Sequence, residues 1–277
     1  MIHQVPDGPE IHYEVTGNGA PVVLIAGTGC DDTWWAQQRD VFARQYTVIT
    51  PHMRGAGAST IYRDPESYSS QVMADDVASL LGALDLGPAH VVGHSLGSCI
   101  AQQLAIRHPA AVASAQLHAT WAYADEWLRS AFIATTDDAL ARGDRQAAFR
   151  TVKMWVFSPH YLATRTPARV ADTVTAAFIT NPHLEAGPGL RGHLHADRHH
   201  DTRSQLAGID VPVLVTAGEL DASFPPRYSR WVYEQLPRAR WHLFTGKRAA
   251  HAFNIELAEE FNHVALGFLA DQDQTKE

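Results

Sequence analysis

Gly93-His94-Ser95-Leu96-Gly97 is the stretch on which the reading turns. It directly follows Ala89-His90-Val91-Val92, an apolar run of strand character, and opens a helical pattern from Leu96 to His108 that stops at Pro109. A serine on so tight a strand-to-helix turn presents its hydroxyl at the carboxyl edge of a sheet, and the flanking glycines let the backbone turn that sharply. The helix amino terminus behind it favours negative charge on a reacting oxygen. As a bare pattern, Gly-x-Ser-x-Gly would arise in roughly one chain in ten of this length. The strand before and the helix after carry its weight.

Outward from this turn, Pro21 to Gly27, Gln45 to Thr50, Val112 to His118, Val211 to Ala217 and Arg240 to Phe244 read as further strands. Continuous Val/Ile/Leu runs, rather than alternating ones, suit parallel strands covered on both faces. Tyr68 to Leu86 places Val72, Val77, Leu80, Leu81 and Leu84 at near-helical spacing, and Gly87-Pro88 stops it. The alternation predicts an α/β protein with an open, mostly parallel sheet flanked by helices. From about Trp121 to Leu206 no good strand appears, and the patterns around Asp125 to Ile133 and Ala147 to Val156 look helical. Long structureless loops are uncommon. The expectation is a core of residues 1–120 and 207–277 with a helical cap inserted at 121–206.

The 277 residues are 45% hydrophobic and 19% charged, with a formal charge of −8 and a pI near 6.0. No Lys/Arg block occurs, which argues against nucleic acid or an anionic membrane surface as partner. Two cysteines, Cys30 and Cys99, make neither a disulfide framework nor a metal-ligand spacing. The amino terminus lacks a basic stretch and an apolar run, and no apolar stretch is long enough to span a bilayer, so the expected compartment is the cytoplasm.

A serine hydroxyl is a weak nucleophile that needs a base, itself oriented by an acid. Past the strand ending at Ala217 comes Gly218-Glu219-Leu220-Asp221, before Phe224-Pro225-Pro226 opens a helix. Past the last strand, Gly246-Lys247-Arg248-Ala249-Ala250-His251 precedes the final helix. With 16 histidines in the chain, position decides for His251. Asp221 is the expected acid, ahead of Glu219, which lies closer to its strand; a helix-capping role is the alternative. An oxyanion hole needs two backbone N–H donors, expected at Leu96 and at Thr28 in the turn Ala26-Gly27-Thr28-Gly29-Cys30.

Other features read as bland. Gly187-Pro188-Gly189-Leu190-Arg191-Gly192 matches the dinucleotide pattern GxGxxG but follows no strand. His193, His195, His199 and His200 have no acidic or thiol partner at zinc spacing. No metal or cofactor is implied. Trp121, Trp127, Trp155 and Phe157 fit pocket lining and plain core equally well.

Over nearly its whole length the chain resembles the α/β-hydrolase superfamily. Met53-Arg54-Gly55-Ala56-Gly57-Ala58-Ser59 is similar to that family's D-x-R-G-x-G-x-S run. Within it, Trp155 to Pro167, the His199-His200 region and Ala250-His251-Ala252-Phe253-Asn254 resemble capped hydrolases related to 3-oxoadipate enol-lactonase and aminoacrylate hydrolase. The resemblance implies hydrolysis of a small carboxylic ester or lactone through Ser95, Asp221 and His251, with no cofactor. It leaves open C–N or C–C bond hydrolysis, lyase and cofactor-free oxygenase chemistry. Cys30, His94, Trp121, Trp127 and Trp155 are the pocket candidates, and a homodimer is compatible with the chain. The acidic charge disfavours a strongly anionic substrate unless a pocket arginine, such as Arg54 or Arg129, offsets it. Three residues depart from the family pattern: Ala26 stands for a His, His52 for an Asp and Ala250 for a Gly.

Overall fold

A computed structural model of the chain describes residues 1–164 and 187–274. Eight strands form one sheet in the order β1-β2-β4-β3-β5-β6-β7-β8. They are β1 Ile2–Gln4, β2 Glu10–Thr16, β3 Ala20–Ile25, β4 Tyr46–Pro51, β5 Ala89–His94, β6 Val112–His118, β7 Val213–Gly218 and β8 Ala239–Phe244. Neighbours from β4 to β8 run parallel, while β2 is antiparallel to both β1 and β4. Every residue of β5 and β7 is buried. Burial on both faces is why these strands read as unbroken apolar runs.

The expected strands are present, with ends displaced by one or two residues, and two more precede them. Strand β2 escapes a search for apolar runs because it is an edge-side strand carrying His12 and Glu14, and only Ile11 is buried. Helix α1, Ser70–Leu84, starts where the Ser69 side chain accepts the Val72 N–H and ends at Asp85 in the left-handed region. Helix α2, Leu96–Arg107, rises from the serine turn.

Between β6 and β7 the described residues are mostly helical. A short helix Glu126–Leu128 and a π turn Arg129–Ile133 lead into α3 Ala134–Ala141, followed by α4 Arg145–Val156, α5 Pro159–Thr164 and α6 Gly187–His199. The middle of the 121–206 stretch, including residues 165–167 at the end of the Trp155 to Pro167 segment, lies outside the described residues. An isolated bridge between Tyr123 and Asp201 draws the two ends of the excursion together, helped by Thr202 N donating to Ala122 O at 2.9 Å. The excursion is also tied to the core: Ala252 N donates to Val156 O at 3.0 Å, and Ser158 N donates to the buried Glu256 carboxylate at 2.8 Å. Helices α7 Pro226–Gln235 and α8 Ala258–Gln274 complete the fold. Among the described residues, no helix is long and apolar enough to cross a membrane.

Candidate active site

Ser95 sits at the carboxyl end of β5 with φ +56° and ψ −126°, a conformation that costs about 1–3 kcal/mol and persists only where its surroundings enforce it. The enforcement is visible. A Cβ on Gly93 would stand 2.2 Å from Gly97 O, and one on Gly97 would stand 2.1 Å from Ile25 O, so neither position tolerates a side chain. Ser95 N donates to His118 O on β6 at 2.9 Å, and Ser98 Oγ donates to Ser95 O at 2.6 Å. The Ser95 hydroxyl itself makes no hydrogen bond among the described residues and faces a cavity.

The loops after β7 and β8 are pressed against one another. A Cβ on Gly218 would lie 2.5 Å from both Ala249 O and Ala250 O, and Leu220 N donates to Ala249 O at 2.8 Å. This contact brings Asp221 and His251 together across 30 residues of sequence: His251 Nδ1 lies 2.8 Å from Asp221 Oδ2, both side chains almost fully buried. A carboxylate only accepts, so Nδ1 carries the proton and Nε2 is left as the basic nitrogen of a ring that lines the same cavity as Ser95. Asp221 Oδ1 accepts Phe224 N–H at 2.8 Å, so the same carboxylate also braces the turn into α7. Glu219 is exposed and accepts Gly246 N–H at 2.9 Å, away from the imidazole.

Two neighbours steady the His251 ring. His94 Nε2 donates to the His251 carbonyl at 3.0 Å, and burial, reinforced by the charge of His251, holds the His94 pKa well below its ordinary value. Phe224 lies 5.3 Å from His251, backed by Trp121 stacked on it at 4.0 Å.

The N–H groups of Leu96 and Thr28 have no partner among the described residues, whereas the next amide, Gly29 N, is committed to His193 Nδ1 at 3.0 Å. Gly27 lies so close over the serine that a Cβ there would be 2.9 Å from Ser95 Cβ. Cys30 and His94 line the cavity, as does Phe157. The other three pocket candidates do not. Trp121 is core behind Phe224, Trp127 is 47% exposed, and Trp155 packs edge-on against Trp127. Burial, reinforced by the Asp31 carboxylate, pushes the Cys30 thiol pKa up.

Sequence reasoning missed most of the wall: Trp34 from the loop after β3, Phe132, Val152 and Val156 on α4, and Leu190 and Leu194 on α6. The two i, i+4 pairs are apolar stripes that periodicity could have flagged. Lys153 also lines the cavity and forms no ion pair among the described residues. The arginines considered for this role are elsewhere. Arg54 is held bidentate by Asp76 at 2.7 Å and 2.7 Å, and Arg129 is exposed.

The remaining motifs resolve as packing. A Cβ on Gly189 would lie 2.2 Å from Gly55 O, and one on Gly192 2.3 Å from the Tyr68 ring, so these glycines let α6 approach the 53–57 loop. His193 and His200 point to different partners, Gly29 N and Ser70 Oγ, while His195 and His199 pair with each other toward the surface. His52 accepts Ala58 N–H at Nδ1 (3.0 Å) and its Nε2 lies 2.8 Å from Asp32 Oδ1, so the histidine with Asp32 organises the turn where the family carries an Asp.

The sheet order, the strained serine turn and the loops beyond β7 and β8 define the class as an enzyme of the α/β-hydrolase type. Residues 21–254 match the family model described as alpha/beta hydrolase fold, and the chain belongs to that family. It is 31% identical to the RutD protein of Azorhizobium caulinodans, named as a carbamate hydrolase, over 96% of this chain and 97% of that protein. It is 33% identical to the Mycobacterium tuberculosis protein BpoC, named as a non-heme bromoperoxidase, over 93% of this chain and 97% of that one. The enol-lactonase structure from Burkholderia xenovorans LB400 superposes with a TM-score of 0.85 at 25% identity, covering 95% of this chain and 98% of that one.

Proposed function

We propose that the chain hydrolyses a small carboxylic ester or lactone through an acyl-enzyme intermediate, with residues 121–206 acting as a cap over the site. The observation that carries this reading is the 2.8 Å contact between His251 Nδ1 and Asp221 Oδ2, with His251 and Ser95 lining the same cavity. His251 takes the Ser95 proton as the hydroxyl oxygen attacks the carbonyl carbon. The Leu96 and Thr28 amides receive the oxyanion. His251 then protonates the leaving oxygen and, in the second half, activates water to release the acid and restore the serine. Asp221 holds the ring in the tautomer this requires.

The walls from Trp34, Phe132, Val156, Leu190 and Leu194 support an apolar acyl or alcohol portion, and Lys153 supports an acidic group on the same molecule. A second reading, hydrolysis of a C–N bond in a carbamate, is favoured by the 31% identity to RutD over 96% of the chain. The two readings share the serine step and differ in the leaving group. Turnover of short-chain nitrophenyl esters, simple lactones and N-substituted carbamates by wild type and Ser95→Ala tests both. Ester or lactone turnover abolished by the substitution, with the fold intact, is the expected result. Full activity in the variant would sink the mechanism, and carbamate turnover alone would replace the first reading by the second.

A further inference from the structure

The Gly27–Thr28 peptide lies over Ser95, yet β3 has already ended at Ile25, so the sheet does not hold it. Within the turn, Cys30 N donates to Gly27 O at 3.0 Å. Cys30 Sγ also donates to Thr28 O at 3.6 Å, and two longer-range anchors come from α6, some 165 residues on: Gly29 N donates to His193 Nδ1 at 3.0 Å, and Thr28 Oγ1 donates to Asp197 Oδ2 at 2.7 Å. His193 and Asp197 are one helical turn apart, both essentially fully buried, and so share one face of the helix.

We propose that His193 and Asp197 are positioning residues that clamp the 27–30 loop from α6 and keep the Thr28 N–H aimed at the oxyanion formed at Ser95. The inference rests on the serine-hydrolase reading above and adds to it the groups that make its oxyanion site rigid.

The clamp is itself anchored. His193 Nε2 donates to Arg54 O at 2.7 Å, which fixes Nδ1 as the acceptor for Gly29 N–H. The Arg54 guanidinium is in turn pinned by Asp76 and by Ser67 O at 2.9 Å. Burial lowers the His193 pKa to about 4, so the ring stays neutral and Nδ1 stays an acceptor at ordinary pH. Burial raises Asp197 to about 7 against the Thr28 hydrogen bond, and Oδ2 can accept from Thr28 Oγ1 whether or not Oδ1 carries the proton. Gly189 and Gly192, the GxGxxG glycines, let α6 come close enough for His193 to reach the loop. Leu190 and Leu194 on the same helix wall the cavity, so one element shapes the pocket and aims the donor.

The test compares wild type with His193→Phe, His193→Asn and Thr28→Val, using a nitrophenyl ester, fluorophosphonate labelling rate and thermal unfolding. Asparagine Oδ1 can stand where Nδ1 stands; phenylalanine cannot accept. Misplacing a catalytic group by about 1 Å costs on the order of 100-fold, so His193→Phe is expected to lower kcat and labelling rate by ~10- to 100-fold with KM within about twofold. His193→Asn is expected to recover most of that loss, and Thr28→Val to lower kcat while leaving the backbone donor in place. Folded His193→Phe and Thr28→Val proteins with wild-type kcat overturn the proposal. So does His193→Asn behaving no better than His193→Phe, or a loss confined to KM. If His193→Phe does not fold, Thr28→Val decides. Wild type that neither hydrolyses the ester nor takes the label overturns the underlying reading instead.

Discussion

Replacing Asp221 by Asn separates the electrical role of this carboxylate from its structural one. The side chain is fully buried and divides its oxygens, Oδ1 accepting Phe224 N–H and Oδ2 facing His251 Nδ1, each at 2.8 Å. Asparagine can keep its oxygen on Phe224 N–H, but it then sets an NH2 group against Nδ1. The ring must respond by giving up the Nδ1 proton and carrying it on Nε2, the tautomer that cannot accept from Ser95. A wrong tautomer of this kind lowers kcat by about 10⁴, or about 5 kcal/mol of barrier. Both hydrogen bonds survive in the new arrangement, so the unfolding free energy changes little. Asp221→Ala behaves differently. It orphans Phe224 N–H and His251 Nδ1–H in a buried site, at about 1–3 kcal/mol each, so about 2–6 kcal/mol of stability goes with the activity. Initial rates of ester hydrolysis together with urea unfolding of both variants read the two effects. Asp221→Asn with kcat within tenfold of wild type would refute the reasoning, as would a comparable loss in Glu219→Gln, whose carboxylate serves the exposed Gly246 N–H.

Three further outcomes are expected. Gly27→Ala places a methyl group 2.9 Å from Ser95 Cβ, so the loop must shift and kcat should fall ~10- to 100-fold; an unchanged rate would show that the loop gives way freely. Lys153→Met keeps the apolar stem and removes the charge, so KM for an ester bearing a carboxylate should rise ~10-fold or more while a neutral ester of equal length is unaffected. Equal effects on the two esters would remove Lys153 from substrate selection. Burial, opposed by hydrogen bonds from Ser158, raises the Glu256 carboxyl from 4.5 to about 7. A folded pKa above the unfolded one means this group stabilises fully below about pH 4.5 and loses that contribution as pH rises through 7. The urea-unfolding free energy of wild type should therefore fall relative to Glu256→Gln between pH 5 and 8, by on the order of 3 kcal/mol; parallel curves would contradict it.

Much of this site was legible before any coordinates because its parts are local. Gly93 and Gly97 flank Ser95 for a reason that acts within one turn and its neighbouring strand, and the loop carrying Asp221 follows the fully buried apolar run of β7; the loop carrying His251 follows β8, of which only Phe244 is buried. Strand β2 was invisible for the opposite reason: its polar alternation is what a partly solvated edge-side strand looks like, and nothing in its composition marks the register with β4. For Trp121 the sequence left pocket and core open because size and apolarity predict burial but not which side of Phe224 a ring occupies.

Periodicity along a chain reports which face of an element is buried; it does not report against what. For that reason the strand–turn–helix carrying Ser95, the loop positions of the proposed acid and base, and the sheet class belong to the sequence. The choice of His193 out of a run of four histidines as the support for Gly29, and of Asp197 for Thr28, belongs to the fold alone. Those contacts span more than 160 residues and exist only because glycines at 189 and 192 let one helix settle against Gly55 and Tyr68. Close packing between distant segments is decided by the shape of both partners at once, and neither segment carries that information by itself.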